Sequence, residues 1–229
     1  MLFTPPKARG LALGLAGLAL LIGLDALLLA LLHASFPSFA AFLFLCLLLA
    51  SLPALALIVY RSYGLVRARY ALGRNALVVG WGGRREVIPL GMIGEARAGI
   101  DVEGPLRPRG LTWPGCVVGR ASHPVLGEIE FLAATEKPGM VLVNTPGGWL
   151  ALSPGDPQAF LQTLAAYQAQ GAEERVAPES ARPAIERWAL WRDRTALALI
   201  ALGGLGALLL FGYLTFIFPQ LPPEFALHF

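Results

Sequence analysis

Residues 11–32 have the sequence LALGLAGLALLIGLDALLLALL, in which Asp25 is the single charged side chain. Residues 39–60 and 195–218 are similarly apolar and contain no charged side chain. Each stretch reaches the roughly 20 apolar residues needed to cross a hydrocarbon core of about 30 Å. The sequence therefore predicts a membrane protein with three transmembrane helices. The short turn around Pro37 joins the first two into an antiparallel hairpin within residues 1–62.

Basic side chains lie on only one side of these predicted spans. They precede the first span and recur through residues 61–194, but residues 35–38 and the tail at residues 219–229 contain none. Because Lys and Arg are enriched in cytoplasmic flanks, we expect the N-terminus and residues 61–194 to be cytoplasmic and the C-terminus to lie outside the inner membrane. A cleaved signal peptide is less favoured, because the first apolar stretch exceeds the usual core of about 7–15 residues. A net charge of +3 does not indicate nucleic-acid binding.

Residues 63–171 predict a single α+β domain. Eight short β-rich or alternating runs, separated by Gly, Pro and Asn turns, indicate about seven strands, because the runs at residues 93–100 and 116–118 are the weaker ones. These runs are residues 66–72, 76–81, 84–88, 93–100, 116–118, 127–132, 140–145 and 149–152. A closing helix follows, with Asp156 as its N-cap, Pro157 at its first position and Gly171 after its end.

Two charged segments accompany this domain. Arg84 and Arg85, on the third predicted strand, are expected on an exposed face. Residues 172–194 are predicted to be a linker, acidic and proline-containing over residues 172–183, followed by an interfacial segment. In that segment Trp suits the headgroup level and Arg suits anionic lipid. The residues expected to contact the membrane there are Trp188, Trp191, Arg192 and Arg194.

Four motifs in this order resemble those of bacterial PH-like (pleckstrin-homology-like) domains. They are YALGRNALVV at residues 70–79 followed by IPLGMI at 88–93, Pro114-Gly115 with Gly119, LGEIEF at 126–131, and LSPGDP at 152–157. The resemblance covers about residues 63–170. It implies an antiparallel β-barrel or sandwich capped by a C-terminal helix, acting as a non-enzymatic module that binds lipids, peptides or proteins. The turn at residues 73–75 contains one basic residue, so a charged inositol-phosphate pocket is not expected.

Two further groups of residues are candidates for contacts with lipid or with other spans. Arg107, Arg109, Trp113 and Arg120 lie in or beside a Gly- and Pro-rich stretch, which either folds back towards anionic headgroups or is a solvated loop. Asp25 would cost about 2.5–3.5 kcal/mol inside a membrane, so it is either functional or a tolerated acid near the interface. Small residues at four-residue spacing, such as Gly10 and Gly14, either pack against another helix or reflect the high Gly and Ala content.

Catalytic and metal-binding patterns are not found in the sequence. The three histidines are scattered, and Ser122 next to His123 does not amount to a nucleophile–base pair. Cys46 and Cys116 are predicted to be unpaired and reduced. No cofactor is expected.

These observations favour a non-enzymatic integral membrane protein whose cytoplasmic domain binds a protein, peptide or lipid at the membrane surface. The open sheet edge beside the closing helix is the expected peptide groove. The alternative is a regulatory or assembly subunit that acts through its spans, with oligomer formation possible. An enzyme is the least favoured class.

Overall fold

The computed structural model of the chain describes residues 1–109, 112–184 and 194–217. The chain divides into two compact units. The first comprises Met1–Ala16 and Val59–Pro183, and the second comprises Gly17–Ile58 and Ala184–Phe229.

Four α-helices are described: α1 (Ala8–Ser35), α2 (Phe39–Val66), α3 (Pro157–Gln170) and α4 (Arg194–Gly212), which continues as a π-helical turn (Tyr213–Ile217). Three helical segments, Ala8–Ser35, Phe39–Val66 and Leu197–Thr215, are long and apolar enough to cross a membrane. The three predicted span-length helices are therefore confirmed. The first two are longer than predicted, because polar residues at their ends continue the helical backbone.

Within the second unit, the end of α4 packs against the start of α2. A Cβ at residue 212 would overlap the ring of Phe42, so the missing side chain of Gly212 permits the contact. Leu208 packs on the same cluster, beside Ala41 and Phe42. The prediction of small-residue packing is only partly correct, because Gly23, Gly203, Gly204 and Gly206 have no described neighbour within 4 Å of an added Cβ.

The first unit contains two open five-stranded sheets. Sheet A has the order β1-β2-β3-β4-β10, and every neighbouring pair is antiparallel. Its strands are β1 (Leu2–Phe3), β2 (Arg69–Leu72), β3 (Ala76–Trp81), β4 (Arg84–Pro89) and β10 (Glu179–Ala181).

Sheet B has the order β5-β8-β9-β7-β6. Its strands are β5 (Ala96–Ala98), β6 (Val117–His123), β7 (Gly127–Ala133), β8 (Val141–Thr145) and β9 (Gly148–Leu152). The pair β7–β9 is parallel. Of the predicted antiparallel barrel or sandwich, the structure has two open sheets and no closed barrel. One pair departs from the antiparallel prediction, because the β8–β9 hairpin places β9 beside β7 in the parallel sense.

Three local predictions also need correction. β2 begins at Arg69 because α2 continues to Val66. The predicted strand at residues 93–100 shortens to β5, because 3-10 turns at Leu90–Met92 and Gly99–Asp101 flank it. The predicted linker at residues 172–183 contains β10, which pairs with β4 and becomes an edge of sheet A.

The helix α3 covers the core of the domain, as its sequence predicts. The Asp156 side chain accepts a hydrogen bond from the backbone N–H of Ala159 at 2.9 Å, so this residue is the N-cap. Phe160 and Leu164 are buried, and Leu161 packs at the edge of the same core.

A buried polar network joins the two sheets beneath this helix. The Tyr70 hydroxyl donates to the Leu132 carbonyl at 2.6 Å and accepts from the Ser153 N–H at 3.4 Å. The Ser153 hydroxyl accepts from the Ala134 N–H at 2.6 Å. Burial raises the pKa of Tyr70, so its hydroxyl stays protonated and keeps its donor role.

The first turns of α1 and the last turns of α2 belong to the same unit as the sheets. The backbone of Gly10 lies against that of Gly115, where a Cβ would overlap the facing carbonyl. Lys7 Nζ donates to the Val66 carbonyl at 2.7 Å and so caps the C-terminus of α2. Arg61 Nη1 donates to the Val118 carbonyl at 2.6 Å.

Candidate binding groove

An apolar groove of about 530 Å³ lies between the two sheets. We call it the inter-sheet groove. Strands β4 and β10 form one wall, and the β8–β9 hairpin forms the other. The apolar residues that line it are Val87, Ile88, Pro89, Met92, Pro146, Trp149, Leu150 and Pro178. This volume lies within the roughly 300–1,000 Å³ that is typical of ligand sites.

The wall formed by β4 follows from strand alternation. The β3–β4 register pairs Leu77 with Ile88 and Val79 with Glu86. Because alternate residues of a strand share one face, Arg84, Glu86 and Ile88 lie on the core-facing side of sheet A, together with the buried Leu77 and Val79. One end of the groove is therefore apolar, and the other carries charge.

The charged end is built around Arg84, whose side chain is only 9% exposed. Its Nη1 and Nη2 donate to the two carboxylate oxygens of Glu130 at 2.9 and 2.6 Å, and its Nε donates to Glu86 at 2.8 Å. Arg182 lies 3.3 Å from Glu86 and 3.7 Å from Glu130, and Arg120 lies 3.3 Å from Glu130. The expectation that Arg84 is exposed is therefore wrong; Arg85 is exposed as expected.

The two sheets set the charge state of this cluster together. Burial alone raises the pKa of the Glu130 carboxyl, but the hydrogen bonds and charge of Arg84 outweigh burial and hold that pKa below its usual value. Burial alone lowers the pKa of Arg84, and Glu130 and Glu86 raise it overall. Both groups are therefore charged at neutral pH, and their mutual pairing closes this end of the groove.

A second rim of the groove is an extended segment of the chain itself. Strand β10 pairs antiparallel with β4, from Glu179 opposite Val87 to Ala181 opposite Arg85. The Ser180 hydroxyl donates to Glu86 at 2.9 Å. Before the strand, the N–H groups of residues 173 and 174 donate to the side chain of Asn75 at 2.9 and 3.2 Å. The strand is exposed along its length, so backbone pairing and polar contacts hold it in place.

Residues 68–167 match a family model described as Bacterial PH domain. These residues form a bacterial PH domain. The match runs from the residue before β2 into the helix α3, and it includes both sheets except for β1 and β10. No curated protein and no solved structure matches the chain. A PH domain is a binding module and is usually not an enzyme, and the three span-length helices fit a membrane-associated module.

The residues predicted to touch the membrane surface have different environments in the PH domain. Arg107 and Arg109 have exposed side chains, and the Arg109 N–H donates to the Arg120 carbonyl at 2.8 Å, which extends the edge of β6. The exposed Arg120 side chain reaches Glu130. Trp113 is half-buried, and its Nε1 donates to the Gly10 carbonyl at 2.9 Å. The structure therefore does not bring these four side chains into one cluster.

Asp25 lies in the middle part of α1 and is half-buried. Its Oδ1 atom is buried and has no hydrogen-bond partner among the residues that the structure describes. Trp188, Trp191 and Arg192 lie outside the described residues. Arg194 begins α4, but its side chain is not described.

The histidine beside Ser122 makes backbone contacts. His123 Nδ1 accepts from the N–H groups of Val125 and Leu126 at 3.3 Å each, and its Nε2 lies 2.9 Å from the Glu103 carbonyl oxygen. This arrangement ties the β6–β7 turn to a neighbouring loop. In the described part of the chain, no group of three or more His, Cys, Asp or Glu side chains could hold a metal ion.

The groove itself was not predicted from the sequence. The predicted peptide site was the sheet edge beside the closing helix, which is β5, where α3 packs. A signal was nevertheless present: Arg84-x-Glu86-x-Ile88 puts two opposite charges on the inward face of a strand. Glu130 likewise puts a charge on the inward face of β7, because it shares that face with the buried Leu132 of the core between the sheets. Inward charges on two strands indicate a partnership between them, because isolated buried charges are costly.

Proposed function

We propose that this protein is a membrane-anchored binding module whose PH domain holds an extended peptide segment of a protein partner in the inter-sheet groove. The observation that supports this proposal is that β10, a later segment of the same chain, pairs with β4. The chain's own segment lies along the groove rim as an added strand, so this edge of sheet A accepts an extended polypeptide.

The composition of the groove suits such an occupant. Strand addition supplies backbone hydrogen bonds, and pockets for alternate side chains supply specificity. Met92, with 45% of its surface exposed, and Ile88 offer apolar contact at one end. At the other end, Arg84 and Glu130 are already paired, so an occupant need not neutralise a buried charge. A peptide with apolar side chains on one face therefore fits better than a compact polyanion.

Photo-crosslinking in native membranes tests this proposal. A photoreactive amino acid replaces Pro146, an exposed residue at the groove rim, in the full chain. We expect a crosslinked polypeptide that disappears when Met92→Glu places a charge in the groove. The matched control is Val125→Glu, at a side chain that is 84% exposed and does not line the groove.

Three outcomes would count against the peptide groove. One is a crosslinked polypeptide that persists in the Met92→Glu variant, because the groove then does not determine binding. Another is equal loss in the Val125→Glu control, which would point to a general effect of added charge. The third is crosslinking to lipid alone, which would favour a lipid ligand at this site.

We also propose that the N-terminus and the PH domain are cytoplasmic and that the protein lies in the inner membrane. The asymmetry of basic residues supports this orientation. Single cysteines introduced by Ala34→Cys and Ala172→Cys, with Cys46 and Cys116 replaced by alanine, test it in intact cells. A membrane-impermeant maleimide should label the first variant and spare the second. The opposite pattern contradicts the orientation.

A second candidate function is a subunit that binds its partner within the bilayer, and Asp25 favours it. A buried carboxylate oxygen with no described partner is costly in an apolar surrounding, so a donor from another protein would stabilise it. Asp25→Leu should then release the partner, whereas Asp25→Asn, which keeps an acceptor, should retain much of the binding. Co-purification from membranes measures both, with Gly23→Ala as the control. Equal retention by all three variants contradicts this function.

A further inference from the structure

A second hollow lies on the outer face of sheet A, away from the inter-sheet groove. Its volume is about 610 Å³. We call it the basic hollow, because its lining includes Lys7, Arg67, Arg69, Arg84 and Arg85 and no acidic side chain.

The strand register forms the floor of this hollow. Gly80 on β3 lies opposite Arg69 on β2 and opposite Arg85 on β4. All three residues therefore share one face of the sheet, opposite to the face that carries Arg84. Because residue 80 has no side chain, the floor of the hollow between the two arginines is formed by backbone. A Cβ there would lie 3.2 Å from Cγ of Arg69, so the Arg69 side chain runs directly over the glycine.

Two more cations close the hollow at the ends of helices α1 and α2. Lys7 comes immediately before α1, and its Nζ is fixed by the hydrogen bond to the Val66 carbonyl. Burial lowers the pKa of this lysine, which an adjacent anion would counteract. The Arg67 guanidinium lies 5.0 Å from the ring centroid of Tyr63, a contact that positions the charge without neutralising it.

These charges have few counter-charges. Arg84 is also part of the lining, but its side chain is on the opposite face of sheet A, where it pairs with Glu130 and Glu86. Arg85 reaches Glu179 at 3.5 Å, and both side chains are more than half exposed, so that pair is weak. Among the described residues, Lys7, Arg67 and Arg69 have no carboxylate within ion-pair distance. Lys7, Arg67, Arg69 and Arg85 are thus four positive charges with little or no neutralisation around one hollow. They repel one another, and a bound anion would reduce that repulsion.

We propose that the basic hollow binds the phosphate group of an anionic phospholipid headgroup. Arginine forks and a lysine around an open floor match the oxygen geometry of a phosphate. The hollow also lies where the chain enters α1 and leaves α2, both of which are long and apolar enough to span a membrane. Lipid phosphate is therefore the most concentrated anion near these residues. This site is separate from the peptide groove and from the loop that contains Arg107 and Arg109.

Native mass spectrometry of the full chain, released from neutral detergent, tests the proposal by counting bound lipids. The probes are phosphatidylglycerol, zwitterionic phosphatidylcholine and inorganic phosphate, each added alone. We expect retention of phosphatidylglycerol over phosphatidylcholine. Removing each arginine should weaken that retention about fivefold, as measured with Arg67→Ala, Arg69→Ala and the double variant.

The variant Gly80→Val tests the shape of the hollow independently of its charge. It leaves every charge in place and fills the floor of the hollow, and valine suits a strand. We expect it to reduce phosphatidylglycerol retention by a similar factor. The control is the double variant Arg107→Ala/Arg109→Ala, which removes the same charge from an exposed loop and should leave retention unchanged.

Several results would overturn the proposal. Loss of retention in the Arg107→Ala/Arg109→Ala control would place the lipid contact at that loop. Equal retention of the two lipids would exclude recognition of the anionic headgroup. Stable binding of inorganic phosphate that excludes phosphatidylglycerol would identify a soluble anion as the occupant. The peptide groove could still fail or succeed in its own crosslinking test, because none of the variants used here changes its apolar lining.

Discussion

Replacing Arg84 by alanine removes the charged connection between the two sheets of the PH domain. The wild-type side chain makes two hydrogen bonds to Glu130 and one to Glu86, and it is 9% exposed. The substitution leaves two partly buried carboxylates facing each other. Breaking a buried ion pair by removing one partner costs about 3–5 kcal/mol.

The expected cost lies at the lower end of that range. The side chains of Glu130 and Glu86 are 23% and 14% exposed, and Arg182 lies near both carboxylates. We therefore expect Arg84→Ala to reduce the free energy of unfolding by about 3 kcal/mol, which is roughly a 100-fold change in the unfolding equilibrium.

The domain contains a matched control for this effect. Arg97 also donates two hydrogen bonds to one carboxylate, from its Nε and Nη2 to Glu95, but these side chains are 44% and 50% exposed. Water and salt screen such a pair, so Arg97→Ala should cost much less stability than Arg84→Ala. The two variants therefore compare the loss of an arginine–glutamate pair at a mostly buried site with the same loss at an exposed site.

Labelling of Cys116 measures both variants in the full chain. This side chain is 1% exposed, and burial raises the pKa of its thiol to about 11, so a thiol reagent reaches it only when the domain opens. Protein in detergent micelles, with Cys46 replaced by alanine, is titrated with urea and labelled briefly at each concentration. The urea midpoint gives the loss of stability.

Acid provides a second check on the same pair. The pKa of Glu130 is lowered in the folded state from an ordinary value of 4.5. Its contribution is therefore present above pH 4.5 and is lost as pH falls through the lower folded-state value. The difference between wild type and Arg84→Ala should narrow in acid. Equal costs for Arg84→Ala and Arg97→Ala, or a difference that stays constant in acid, would refute the reasoning.

Three further predictions concern other contacts of the domain. Tyr70→Phe leaves the buried carbonyl of Leu132 without its donor, and should cost about 1–3 kcal/mol in the labelling assay. Gly10→Ala drives a Cβ into the backbone of Gly115, and overpacking of this kind should cost about 1–3 kcal/mol. The Cys116 thiol ionises near pH 9 when unfolded and near pH 11 when folded, so stability should fall between these values by up to about 3 kcal/mol. Cys116→Ala should remove that slope, measured by tryptophan fluorescence.

Controls exist for each of these changes. Tyr167→Phe alters a half-buried tyrosine on α3 at the edge of the core. Gly23→Ala adds a Cβ with no described atom within 4 Å. Cys46→Ala removes the other thiol, which lies in α2. If a control loses as much stability as its test variant, the corresponding contact does not explain the effect.

Hydropathy and local turn chemistry made part of this fold predictable. Long apolar stretches with at most one charged residue can satisfy their backbone in lipid as helices, so the three span-length helices followed directly from the sequence. The pair Gly82-Gly83 predicted the β3–β4 hairpin, and Asp156 with Pro157 predicted the start of α3. Each of these signals acts within a few residues of the chain, where sequence pattern and structure are most tightly connected.

Features that depend on distant partners could not be predicted in this way. All three side chains of β10 are exposed, so its sequence shows no alternation of apolar and polar residues. The segment forms a strand because its backbone pairs with the edge of β4. The parallel β7–β9 pairing is equally non-local. Arg84 was assigned to an exposed face because its strand also contains Arg85, and only the position of Glu130 on the other sheet explains its burial. The groove and the basic hollow both arise from such long-range contacts.

Sheet A receives every chain connection between the domain and the described span-length helices. Strand β1 precedes α1, β2 follows α2, and the chain continues from β10 to α4, whereas no strand of sheet B adjoins such a helix in sequence. The non-covalent contacts divide differently, because Arg61 of α2 also donates to the Val118 carbonyl on β6 of sheet B. Strand β10 is both the rim of the inter-sheet groove and the last described strand before α4, whereas the β8–β9 hairpin on the opposite wall adjoins no span-length helix in sequence. One wall of the groove is thus tethered by the chain to a span-length helix, and the other wall is not.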